Sequence, residues 1–203
     1  KSLRDKLEKI MRKLTANDLL SLENYDKQRE TIKSNLINHK KNRAVSIGEH
    51  IVLLFEDFET IKYQVQEMLR IEKIFNEEEI QDEINAYQPL IPEGNNLKAT
   101  MLIMYSDVNH RKTMLSKLKG IENNIWLTVD NSQKLYAIPD EDLERSNDKK
   151  TSAVHFLRFQ LDEECIRGFQ NSYEIFLGCD HKDYNDSIKI DKLITQSLRK
   201  DFL

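Results

Sequence analysis

The stretch from Arg43 to Phe75, RAVSIGEHIVLLFEDFETIKYQVQEMLRIEKIF, constrains the fold more than any other part of the chain. Ile51, Leu53 and Phe55 alternate with His50, Val52 and Leu54. Both sets are largely apolar, which predicts a strand covered on both faces. Glu56 to Glu59 interrupts the run and reads as a hairpin loop. Thr60 to Val65 then alternates again, with Ile61, Tyr63 and Val65 on one face, and predicts a second strand. From Gln66 the period changes: Val65, Met68, Ile71 or Glu72, and Phe75 recur at helical spacing. On that helix Glu67 and Arg70 stand one turn apart and can pair.

Upstream, Thr15 with Asp18 three residues on resembles a helix start and predicts a helix over Ala16 to Tyr25, followed by another to about Asn38. His39, Lys40, Lys41 and Arg43 form a basic cluster that reads as a solvated helix end. Downstream the pattern predicts a helix from Glu77 to Tyr87 and a Pro-rich loop at PLIPEGNN. A strand follows from Leu97 to Tyr105, then a helix from Asp107 with Val108, Met114, Leu115 and Leu118 inward. Ile125 to Val129 and Lys134 to Ile138 read as a hairpin, and Pro139 with Asp140 as the start of a helical turn. Ala153 to Leu161 is the longest expected strand, with a helix after Asp162 and another strand from Tyr173 to Cys179. Ile188 to Phe202 closes as an amphipathic helix with Ile190, Leu193, Ile194 and Leu198 inward. Strict alternation of strand and helix is missing. This order predicts an α+β fold on a mainly antiparallel or mixed sheet with helices packed on it.

The segments VLLFED, YQVQEML, AYQPLIPEG, NLKATMLI, DEDLERS and KTSAVHFLRF resemble a bacterial family known as a domain of unknown function, over about Leu14 to Tyr184. That resemblance implies a link to redox or peroxide stress, because such proteins are often encoded beside rubrerythrin-like and heterodisulfide-reductase-like iron–sulfur proteins. It names an iron–sulfur or rubrerythrin-like redox protein as the partner to expect. It implies no reaction and no catalytic residue.

At 203 residues with 39% hydrophobic side chains the chain can build one core, so the expected organisation is an N-terminal extension over 1–12 and a single domain over 13–203. A formal charge of −4 argues against a protein devoted to nucleic acid. No apolar run reaches the ~20 residues of a membrane helix. Two widely spaced cysteines and no visible signal peptide read as a reduced, cytoplasmic chain. Five scattered glycines cradle no phosphate, and two cysteines hold no iron–sulfur cluster, so no cofactor is expected.

Two clusters invite chemistry. In AVHFLRF, His155 and Arg158 fall on alternate faces of a mostly apolar strand, where each needs a polar companion; Glu67 and Glu72 are the candidates. Cys179-Asp180-His181 follows a strand end, but adjacent residues cannot all turn to one ion and the histidines are scattered, so no metal centre is assigned. The candidate ligand-binding residues are therefore Glu67, Arg70, Lys98, His155, Arg158 and His181. They suit a non-catalytic accessory or binding protein, or alternatively an enzyme acting on an anionic small molecule.

Overall fold

The computed structural model describes residues 12–202 except 131, 148 and 173. The expected extension therefore lies outside the described residues but for Arg12, as do turn residue Asn131 and the expected strand start at Tyr173. Among the described residues the fold is α+β, with two antiparallel sheets and six α-helices. Strands β1 (Ala44–Ile47), β2 (Ile51–Glu56), β3 (Asn96–Ile103), β7 (Val154–Gln160) and β6 (Ile138–Pro139) lie in the order β1-β2-β3-β7-β6. The second sheet runs β5 (Leu135–Tyr136), β4 (Ile125–Val129), β8 (Ile175–His181), β9 (Tyr184–Lys189). Helices α1 (Leu22–Lys41), α2 (Phe58–Glu72), α3 (Glu77–Tyr87), α4 (Val108–Lys117), α5 (Glu163–Asn171) and α6 (Lys192–Leu198) complete it.

Apolar residues from both sheets build the larger core. Leu53, Met101 and Phe159 from one sheet share it with Ile125, Leu177 and Cys179 from the other, all at most 1% exposed. A smaller core gathers Leu14, Ile61, Val65, Leu69, Ile84 and Ile91 under α2 and α3. Each fully buried aliphatic side chain contributes about 1.5–3 kcal/mol.

Thr60 to Val65 is helix, not strand. Asp57 accepts from the Thr60 N–H at 3.0 Å while the Thr60 hydroxyl accepts from the Asp57 N–H at 2.9 Å, and this reciprocal cap starts α2 directly after β2. Ile61, Val65 and Leu69 recur every four residues, a spacing that fits both strand and helix periods. The true hairpin lies upstream, between β1 and β2, with Gly48 at φ 61° in its turn. There the Tyr184 hydroxyl reaches across from β9, donating to the Ile47 carbonyl at 2.6 Å and accepting from the His50 N–H at 3.0 Å.

Three further corrections have local causes. The Thr15–Asp18 cap closes only a single 3-10 turn; Ser21 starts one long helix in place of the two expected. The hairpin expected after Val129 splits: Leu135–Tyr136 pairs with β4, but Ile138–Pro139 crosses to β7 and no helical turn follows. The segment before Asp191 is edge strand β9, and only then does Asp191 cap α6. Val108 and Leu193, expected inward, are exposed.

Candidate functional site

Helices α1 and α2 run antiparallel, so Tyr25 near the start of α1 meets Glu67 near the end of α2, and His39 near the end of α1 meets Asp57 at the cap of α2. Between them lies a mainly apolar groove of about 410 Å³, floored by Leu20, Ile32 and Leu36 and edged by Tyr63, Lys62 and His39. α1 buries only Tyr25 and Leu36 of its twenty residues, which leaves this face open. Gln66 seals one wall by exchanging hydrogen bonds with the Leu20 backbone, at 2.8 and 3.0 Å.

At one end of the groove stands a knot of charge. Arg43, 1% exposed, donates to the Phe55 carbonyl at 2.9 Å and the Glu56 carbonyl at 3.0 Å, and forms an ion pair with Asp201. Asp57 lies 3.5 Å from the same guanidinium. His39 donates from Nε2 to Asp57 Oδ2 at 2.6 Å, and its Nδ1 has no partner among the described residues. Burial pushes the Asp201 carboxyl up to about 6 despite Arg43. Burial also acts to raise Asp57, but the His39 hydrogen bond and the Arg43 charge outweigh it and hold Asp57 below the usual carboxylate range. His39 and Glu59 also line a second cleft of about 260 Å³, bordered by Phe58, Ile91, Pro92 and Lys200, so His39 stands where two clefts meet.

The six residues picked out in the sequence lie in several separate places. Glu67 and Arg70 share α2 at 3.5 Å, but the main partners of Glu67 are Arg29, at 2.8 and 2.9 Å, and the Tyr25 hydroxyl at 2.6 Å. Those bonds, led by Arg29, bring the Glu67 carboxyl down to about 2. Lys98 and Arg158 face each other across β3 and β7. They line a small cleft of about 80 Å³ with Glu141, Pro89 and Leu90. Arg158 takes Glu141 in a two-pronged pair at 2.7 Å for each bond. Burial lowers Lys98.

His155 points to the opposite face and is fully buried. Its Nδ1 meets Asp140 Oδ2 at 2.5 Å, and its Nε2 meets Thr151 Oγ1 at 2.8 Å and the Ser152 carbonyl at 3.1 Å. The Thr151 hydroxyl bonds in turn to Glu122 at 3.0 Å. The companions expected from sequence, Glu67 and Glu72, lie elsewhere: Glu67 is held by Arg29, and Glu72 is exposed. The expected helical turn at Asp140 is absent because its carboxylate is committed to His155 and to the Phe156 N–H at 2.9 Å.

His181 lies in the other sheet, with Nε2 donating to the Lys119 carbonyl at 3.1 Å. In β8 Cys179 and His181 turn inward, while Asp180 turns out to the Trp126 indole, Lys134 and Tyr136. No group of three or more His, Cys, Asp or Glu side chains gathers as a metal site among the described residues. His39 and Arg43 were expected with Lys40 and Lys41 in a solvated basic cluster, but Arg43 is buried against Asp201 and His39 is held by Asp57; Asp57 and Asp201 were not singled out as site residues. The available signals were the Asp57–Thr60 cap spacing and an arginine placed directly before an apolar strand.

A family model described as "Protein of unknown function (DUF3501)" matches residues 13–202. No curated protein matches the chain. A crystal structure of a novel protein of unknown function from Burkholderia pseudomallei K96243 is similar, at 49% identity and a TM-score of 0.89, covering 94% of this chain and 99% of that one.

Proposed function

The chain belongs to the DUF3501 family of proteins of unknown function, and from that premise we propose that it is a non-catalytic accessory protein that binds a ligand in the groove between α1 and α2. The observation that carries this reading is the groove itself: an apolar floor of small-molecule size, with a few polar groups converging at one end. The link to redox or peroxide stress, and an iron–sulfur or rubrerythrin-like partner, rest on the family resemblance. The thiols favour a binding role within such a system. Cys179 is fully buried, and burial pushes its thiol up to about 11; burial also raises Cys165. Neither is poised as a thiolate. Both are free, which supports a reduced cytoplasmic setting.

The test uses the amphipathic dye anilinonaphthalene sulfonate. The wild type is expected to bind it saturably, and Ile32→Trp and Asn35→Trp, which fill the groove from its lining, are expected to lose that binding at unchanged melting temperature. No saturable binding by the wild type, or equal binding by well-folded filled variants, would overturn the proposal.

One observation favours a second reading, an enzyme acting on an anionic small molecule. Asp57 orients His39 from one nitrogen, and His39 lines both clefts, an arrangement that suits a general base. Turnover of any substrate that survives His39→Gln would remove this reading.

A further inference from the structure

Lys62 is half-buried on the wall of the α1–α2 groove, and among the described residues no carboxylate or other acceptor takes its ammonium group. Most other inward-leaning cations in this protein are matched: Arg29 by Glu67, Arg43 by Asp201, Arg158 by Glu141. A cation held against an apolar wall without a partner gains from an anion that arrives with a ligand, because a partly desolvated pair is screened far less than one in open water. The one carboxylate that also lines the groove, Glu59, is exposed on the first turn of α2, so its repulsion is damped by solvent.

Away from Lys62 the groove turns apolar and long. Leu20, Ile32, Leu36 and the Tyr25 ring line it, and Tyr25 and His39 stand about 21 Å apart along α1 at the ~1.5 Å rise of a helix. A head that wants an anion and a tail that wants hydrocarbon describe one class of molecule. We propose that the groove binds an amphipathic carboxylate, with the carboxylate on Lys62 and an unbranched apolar tail along Leu36 and Ile32 toward Tyr25. This rests on the reading of the groove as the binding site and adds the chemistry of its occupant. The volume of about 410 Å³ suits a small molecule.

Isothermal titration of the full chain with decanoate, 1-decanol and decylammonium, each below its aggregation limit, tests it. Decanoate is expected to bind at least tenfold more tightly than the other two. Lys62→Gln is expected to erase that preference while leaving decanol binding and the melting temperature unchanged. Equal binding of decanoate and decanol by the wild type, or a preference that survives Lys62→Gln, overturns the carboxylate assignment and leaves the groove as a site. Absence of binding by all three probes, together with failure of the dye experiment, removes the groove itself.

Discussion

Arg43, just before the first strand, and Asp201, in the last described turn, close a buried ion pair between residues 158 positions apart. Asp57 leans on the same guanidinium at 3.5 Å. Arg43→Met therefore strands the buried Asp201 carboxylate, while Asp57 keeps His39, and is expected to cost about 3–5 kcal/mol. Asp201→Asn keeps an acceptor for Arg43, and Asp57 keeps the charge balanced, so that variant is expected to lie within about 1 kcal/mol of wild type at neutral pH. Urea unfolding of both variants compares the two; equal losses would break this account.

Asp201 also sets a pH trend. Its folded value of about 6 lies above the ordinary 3.8, so between those values the folded chain holds more of this proton than the unfolded chain. From this group, stability rises as pH falls from about 6 to about 4, by about 2–3 kcal/mol in total. The Asp201→Asn variant is expected to lack that rise when unfolding free energy is measured across the window.

Glu67 runs the other way. Its folded value of about 2 lies below the ordinary 4.5, so its stabilisation is complete above about 4.5 and fades as pH falls toward 2. The cluster with Arg29 and Tyr25 sits near the surface, and Glu67→Gln is expected to cost about 1 kcal/mol at pH 7. Denaturant midpoints of variant and wild type should converge near pH 2.

His155 is held at both nitrogens with no exposed surface. His155→Leu leaves Asp140 and the Thr151–Glu122 pair without it and is expected to cost about 2–4 kcal/mol. A melting temperature equal to wild type would mean that the network contributes nothing.

Gly178 lies beneath Trp126: a Cβ there would overlap the indole. Gly178→Ala must displace the ring, straining the bond from its Nε1 to Asp180, at an expected cost of about 1–3 kcal/mol. Trp126 is the single tryptophan, so its emission should shift with the substitution.

Where a local signal and the final fold obey the same rule, the sequence was readable. Asp107 and Asp162 cap α4 and α5 as their spacing predicts, and β3 and β7 follow their alternation. Ile61 and Val65, with Tyr63 between them, misled because a spacing of four satisfies two periods, and only the cap at Asp57 decides between them. β9 was hidden because YNDSIK is an edge strand with little apolar pattern to betray it. The groove and the Arg43 knot were not readable. They depend on partners separated by up to 158 positions, and no periodicity links such residues before the chain has folded. Lys98 and Arg158 were brought side by side by strand register, while His155, one strand-face away from Arg158, was turned into a different compartment.

Tyr136 and Ile138 are separated by one residue, Ala137, yet belong to different sheets. The polypeptide thus acts as a hinge pin between two layers that share no ladder of hydrogen bonds there. Neither layer can peel away without dragging its neighbour, so amide protons in β4 and β7 should become exchangeable together, as one cooperative opening.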